Sequence, residues 1–309
     1  METTLTERIS PQPCVALAGG TGDLGERIAR ALRDQGADVG ALVRSDTSTT
    51  KRKMLEALGV RVVPVDFADA DALRTACIGA TCVVSALNGL RPVILNAQQQ
   101  LLDAAVAAGV PRFIPSDFCL DFTRTRAGRN RNLDLRREFE AHIALTPIRA
   151  TSILNGAFSD LLAGQAPIVV RKIKKVVFWG RAEQQLDFTS KDDVARYTAA
   201  AALDASAPRF LRIAGDVVTA GSLAQTMTSL TGTAFRAQRA GSIGLLSLLI
   251  RVVRTLTPPS DAVFPAWQGM QYVRDMFSGD GILRALDNDR YGERTWTSAR
   301  DVLVDASSS

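Results

Sequence analysis

Lysine is scarce in this chain: of 37 basic side chains only six are lysines, Lys51, Lys53, Lys172, Lys174, Lys175 and Lys191, and the other 31 are arginine. Histidine occurs once, as His142, and cysteine four times, as Cys14, Cys77, Cys82 and Cys119. No Cys-x-x-Cys pair stands among them, and a single imidazole cannot build a zinc site with thiols at those spacings. No metal is therefore expected, and the thiols are read as reduced. Long apolar runs are missing too. The most apolar stretch, GLLSLLIRVV (244–253), meets Arg251 too soon to cross a bilayer. The opening METTLTERISPQPC has no apolar core of signal-peptide length, so the expectation is a cytoplasmic protein with no transmembrane segment.

What remains is ordinary for a globular protein. The 309 residues are 46% hydrophobic and 22% charged, enough chain for one large or about two ordinary domains. The net charge of +5 suits an anionic small ligand, but scattered surface arginine explains it more cheaply; no nucleic-acid partner is expected.

From residue 14 to about 155, short apolar runs alternate with helix-patterned segments. CVALAG (14–19), DVGALV (38–43), VRVVPV (60–65), TCVVSA (81–86), RFIP (112–115) and ATSIL (150–154) read as strands, near-continuously apolar as parallel strands covered on both faces are. Helices are expected near 23–34, 49–58, 69–77, 92–108 and 133–145. The alternation predicts an α/β fold with a doubly wound parallel sheet in residues 1–155. Residues 156–309 then form a smaller α/β substrate lobe over the carboxyl ends of the strands, with some elements returning to the sheet. Within it 166–180 reads as extended, 190–203 as a helix capped by Ser190, and 209–215 as a strand. RKIKK (171–175) reads as a solvated strand edge, and the terminal DASSS as frayed.

The stretch VALAGGTGDLG (15–25) satisfies both Gly20-x-Gly22-x-x-Gly25 and Gly19-x-x-Gly22-x-x-Gly25. A strand must turn sharply into a helix there, and the backbone must approach a pyrophosphate closely; glycine permits both where a side chain obstructs. The helix aims free N–H groups and its positive dipole end at the phosphates. Gly19, Gly20, Thr21, Gly22, Asp23, Leu24 and Gly25 are thus candidate dinucleotide-binding residues. The second strand ends in ALVRSD, with Arg44 where an NAD site usually places Asp or Glu. A guanidinium there suits the 2'-phosphate of NADPH over NAD, Lys53 on the next helix could add a second cation, and Asp46 is a rival ribose acceptor. Asp66, beside Phe67, could accept from an adenine amino group or cap the following helix. Ser85, Ala86 and Leu87 close the fourth strand, where the nicotinamide ribose would lie.

GGTGDLG, LVR, VDF, VVSAL and above all AAGVPRFIPSDF (107–118), continued by TSILNGAF (151–158), resemble the atypical short-chain dehydrogenases related to isoflavone reductase and to the NmrA-like proteins. The resemblance implies an NADPH-binding Rossmann domain with a small C-terminal substrate lobe and the pocket between them. It places Ser116, Asp117 and Phe118 near the nicotinamide, and Asn155, Gly156 and Phe158 on the wall opposite.

The chain departs from that family in its acid–base groups. Isoflavone-reductase-like enzymes carry a lysine on the helix after PSxF, and residues 119–145 here contain none. No Tyr-x-x-x-Lys dyad replaces it: Tyr197, Tyr272 and Tyr291 are followed four residues later by Ala201, Met276 and Thr295. Reducing a ketone leaves an alkoxide in need of a proton, for which His142 and Ser116 are the candidates. Arg129, Arg131, Arg136 and Arg137 could bind an anionic substrate or form a solvated loop. The helical stretch 242–256 could roof an apolar pocket, form a homodimer interface or touch a membrane surface. The reading that follows is an NADPH-dependent oxidoreductase acting on an apolar or aromatic small-molecule carbonyl or enone. The alternative is a non-catalytic NADP-binding redox sensor of the NmrA-like type.

Overall fold

A computed structural model describes residues 13–164 and 166–308; most of the opening stretch METTLTERISPQPC, residues 1–12, lies outside the described residues. Five α-helices follow the first five strands in alternation, in the order β1 (Cys14–Ala18), α1 (Asp23–Asp34), β2 (Asp38–Val43), α2 (Thr49–Ala57), β3 (Arg61–Pro64), α3 (Ala70–Cys77), β4 (Cys82–Ser85), α4 (Gln98–Ala107), β5 (Arg112–Ile114) and α5 (Arg131–Ile143). With β6 (Arg149–Ala150) the strands form one parallel sheet in the order β3-β2-β1-β4-β5-β6. The near-continuous apolar runs have a simple cause, since successive side chains point to opposite faces and both faces are covered. Val15 and Leu17 pack with Ile28 and Leu32 of α1, while Ala16 and Ala18 face the core holding Leu101 of α4 and Phe139 of α5.

Two boundaries differ from expectation. The helix expected at 92–108 begins as a π-helical turn over Pro92–Ala97 and becomes α-helical at Gln98, whose buried side chain bonds back to the Ile94 carbonyl. The strand expected at 150–154 divides at Thr151. Thr151 N still donates to Phe113 of β5, but Ser152 N donates to Arg209, so β7 (Ser152–Leu154) leaves one neighbour for another.

That neighbour comes from the second half of the chain. After β8 (Ala157–Phe158), β9 (Val169–Val170), β10 (Lys175–Trp179) and β11 (Leu186–Thr189), helix α6 (Lys191–Leu203) returns to lie on α1, and β12 (Phe210–Arg212) pairs in parallel with β7. Ser190 caps α6 through a hydrogen bond from Asp193 N, as expected. The other elements are β13 (Asp216–Val218), α7 (Ala220–Thr231), β14 (Arg236–Gly241), α8 (Ile243–Leu256), α9 (Ala266–Ser278) and α10 (Ala299–Ser308). They enclose a separate core around Val176, Phe178, Leu223, Met227 and Leu303.

Two readings of this half are corrected. RKIKK is not a strand edge: Arg171–Ile173 make a 3-10 turn, Lys174 takes a left-handed φ of 55°, and Lys175 opens β10, the middle strand of the sheet β14-β10-β9. DASSS does not fray as far as residue 308, because α10 continues through it. In α8, Leu246 and Ile250 are buried while Leu245, Leu248, Val252 and Leu256 are exposed. Among the described residues no helix is long and apolar enough to cross a membrane.

One buried cation ties the halves together. Arg112, at the start of β5, donates to the carbonyls of Ala201 (2.6 Å) and Ala202 at the end of α6 and to Thr151 Oγ1 at 3.1 Å. A guanidinium at a helix C-terminus meets the negative end of its dipole and two carbonyls that lack helical partners. Arg112→Met should lower the unfolding free energy by about 2–4 kcal/mol in urea titration, the usual cost of unpairing buried charge-assisted bonds. A change within error would show that these bonds do not fasten α6 to the sheet.

Candidate functional site

The strand order reverses at β1, whose neighbours β2 and β4 carry crossovers to opposite sides, and such a switch point opens a crevice outside the carboxyl ends of the strands. The glycine turn lies in that crevice. Gly19 takes φ +82°, and a Cβ there would come 2.5 Å from the Ala86 carbonyl oxygen; a Cβ on Gly25 would come 2.0 Å from the Gly19 oxygen. Only bare backbone lets the head of α1 sit this close to the ends of β1 and β4. Gly20 and Gly22 are less constrained, with nearest atoms at 3.4 Å. Gly22 is the N-cap of α1 and supplies no side-chain cap, so the first-turn N–H groups face the crevice without a side chain in front of them. Thr21 and Leu24 are half-buried in the turn, Leu24 against the core. Asp23 is held by Arg27 at 2.8 Å and Lys191 at 2.6 Å, and these hydrogen bonds, Lys191's foremost, keep its carboxyl below the usual carboxylate range.

One strand over, Arg44 leaves the end of β2 into solvent, where Asp46 Oδ1 lies 3.3 Å from its Nε. The rival carboxylate is therefore already engaged by the cation. Arg52 turns back onto the carbonyls of Ser45 and Thr47 and fixes the loop between β2 and α2, leaving Lys53 exposed on the first turns of that helix. Asp66 accepts from Ala68 N at 2.9 Å and shapes the turn after β3, whereas the cap of α3 is Asp69. Phe67 is half-buried beside it.

At the ends of β4 and β5 the structure gathers residues far apart in sequence. Ser85 is fully buried with an unpartnered Oγ, Ala86 N donates to Ala18, and Leu87 offers its carbonyl to the Ser116 hydroxyl. The Ser116 amide donates to Gln98 Oε1 at 2.8 Å, so Gln98 positions the segment after β5. Asp117 is buried and accepts from Ser152 Oγ, which in turn receives a bond from Arg209; burial pushes the carboxyl up, and Ser152, Arg136 and Arg209 pull against it. Phe118 is buried in the sheet core, and burial pushes the Cys119 thiol up to about 12.

Behind Cys119, Arg136 of α5 is buried and donates to the Asn132 carbonyl. Its charge faces Tyr272 of α9, a half-buried phenol beside Asn132. Burial raises that phenol to about 12 against the pull of Arg136. Gln98, Arg136 and Tyr272 carry no motif; only the fold brings Gln98 to Ser116 and Arg136 to Tyr272.

The opposite wall is less uniform. Asn155 is buried with an unpartnered Oδ1, and its carbonyl accepts from Thr189. Gly156 takes φ +66°, and a Cβ there would come 2.5 Å from the Asp187 carbonyl, so strand packing is enough to require glycine. The Phe158 ring lies 6.0 Å from the Lys191 amine, which also pairs with Asp160 and thereby links this wall to the head of α1. His142 stands apart in the last turn of α5, roughly 16 Å along that helix from Arg131 at 1.5 Å per residue.

The NmrA-like family matches residues 11–253. Pinoresinol reductase 1 of Arabidopsis thaliana is 30% identical over 239 residues, 71% of this chain and 74% of that protein. Among solved structures, AtPrR2 with NADP+ and (+)pinoresinol superposes with a TM-score of 0.81 at 22% identity, covering 96% of this chain and 99% of that one. The binary complex of leucoanthocyanidin reductase with NADPH from Vitis vinifera gives 0.79 at 18% identity, covering 96% and 100%. At these identities the superpositions show the shared fold.

The close approach at the turn separates two glycine substitutions. Gly25→Ala should destabilise the chain by about 1–3 kcal/mol in urea titration, the cost of forcing an extra methyl into packed backbone. Gly22→Ala, with its Cβ in ordinary contact, should shift the midpoint far less. Equal shifts for the two would show that the helix head is not held against the strand ends.

Proposed function

The chain belongs to the NmrA-like family, and from that premise we propose that it is an NADPH-dependent oxidoreductase reducing a carbonyl or enone of an apolar or aromatic small molecule. The observation that carries the proposal is the pair Gly19 and Gly25, which seat an uncapped helix head against the strand ends at the switch point. That is the shape a dinucleotide diphosphate needs, and reductases stand among the relatives.

In this reading the turn from Gly19 to Gly25 holds the diphosphate. Arg44, with Lys53 on the same rim, holds the 2'-phosphate, and Asp66 and Phe67 border the adenine. Ser85, Ala86, Leu87 and Ser116 border the nicotinamide, which supplies a hydride when bound. Phe118, Asn155, Gly156 and Phe158 flank the substrate. Hydride transfer leaves an oxyanion, and the chain must deliver a proton to it. Ser116 spends its hydroxyl proton on the Leu87 carbonyl, and His142 sits at the far end of α5. Tyr272 keeps its proton at neutral pH and faces a guanidinium, Arg136, that would stabilise the phenolate left behind. We assign it the donor role, with solvent returning the proton.

Following NADPH oxidation against a panel of aromatic carbonyls and enones tests the activity; tight NADPH binding without any turnover would favour the redox sensor instead. In calorimetry Arg44→Ala should weaken NADPH by about tenfold or more while leaving NADH within about twofold, as loss of a charge-assisted phosphate contact predicts. Equal losses would place the arginine elsewhere. Tyr272→Phe should lower kcat about a hundredfold, the lower range for a general acid, with NADPH affinity unchanged; an unaltered kcat would remove Tyr272 from the mechanism.

A further inference from the structure

Between the loop after β4, the first turns of α5, and helices α8 and α9 lies a cleft of about 480 Å³, within the range of small-molecule sites. Leu90, Pro92 and Leu135 give it an apolar side. Leu90, on its lining, follows three residues after Leu87, whose carbonyl receives the Ser116 hydroxyl.

The charges around this cleft do not cancel. Its two carboxylates are already committed: Glu138 makes a two-pronged pair with Arg91 at 2.6 and 2.7 Å, and Asp134 pairs with Arg137 at 2.6 Å. Two further guanidinium groups, Arg131 and Arg254, lie 4.7 and 5.1 Å from the centre of the Trp267 ring. Neither has a carboxylate within ion-pair distance among the described residues. Arg131 donates instead to the Asn132 side chain and to the carbonyls of Ala262 and Val263, which fix its direction without neutralising it. Burial, with the like charge of Arg254 beside it, lowers the pKa of Arg131 from its ordinary value.

Both guanidinium groups reach the same indole, Arg131 half-buried and Arg254 exposed, with no carboxylate beside either, and guanidinium groups match carboxylates in shape and hydrogen bonding. We propose that this cleft binds the carboxylate of an apolar or aromatic substrate, with Arg131 and Arg254 gripping the acid and Leu90, Pro92 and Leu135 covering the hydrocarbon part. The proposal rests on the oxidoreductase reading only in calling the ligand a substrate; the charge arrangement stands apart from it. Substrates of this protein would then be acids, with the reducible group pointing from the cleft toward Ser116.

The test is calorimetric titration of 2-naphthoate and its uncharged methyl ester into cofactor-free and NADPH-saturated protein. Wild type should bind the acid at least about tenfold more tightly than the ester, a preference that weakens with added salt. Arg254→Gln, which removes a cation without breaking a side-chain bond to the backbone, should abolish most of that preference. Arg254→Glu should reverse it, and Arg131→Gln should act like Arg254→Gln. Acid and ester binding alike, or a preference that survives in all three variants, overturns the proposal. Failure of NADPH to bind would instead strike the oxidoreductase reading, while an acid preference in the cofactor-free protein would still support this cleft as a carboxylate site.

Discussion

The candidate site depends on one close approach: the backbone of Gly25, in the first turn of α1, lies against the carbonyl of Gly19 at the end of β1. Because nothing larger than hydrogen fits between them, the helix axis meets the sheet at its switch point and its uncapped N–H groups converge on the crevice. Gly19 meets the Ala86 carbonyl in the same way, which fixes the end of β4 and so the Ser85–Leu87 segment. The Leu87 carbonyl then receives Ser116 from the end of β5. A single backbone contact thus propagates across three strand ends and sets the floor of the site.

The second half of the chain completes this floor rather than standing beside it. Helix α6 returns to α1, β12 extends the strand array through β7, and Arg112 clasps the end of α6 from within the sheet. At the other end of α6, Lys191 bridges Asp23 on the glycine turn and Asp160 beyond Phe158. Farther out, Asn130 caps α5, donates to Asp275 of α9 and accepts from Gln268, so the helix bearing Tyr272 is fixed to the helix bearing Arg136. Buried polar groups satisfied in this way hold the two lobes in one relative position, which a site built from both of them requires.

The predominance of arginine over lysine shapes the chemistry. A guanidinium does not give up its proton in a protein, so Arg44, Arg131 and Arg254 can hold anions but cannot serve as acids or bases. Residues 119–145 contain no lysine, and burial keeps the phenol of Tyr272 protonated through the neutral range. In the proposed reading, anion binding and proton delivery fall to different residue types in different places.

The sequence by itself determined most strands and helices of the first half, whose signals are local, the 2.0 and 3.6 periods and the turn glycines, and in the second half the Ser190 cap of α6. It also determined the crevice, because three glycines at that spacing after a strand allow little else. Where the local signal misled, at RKIKK and at DASSS, tertiary packing decided the outcome: β14 and β9 pair on either side of β10, and the terminal helix buries Ala299 and Leu303. Only the tertiary structure decided which side chains meet. Gln98 with Ser116, Asp117 with Ser152, Arg136 with Tyr272, and Arg131 with Arg254 over Trp267 are joined by the fold, across separations that no periodicity or spacing rule spans.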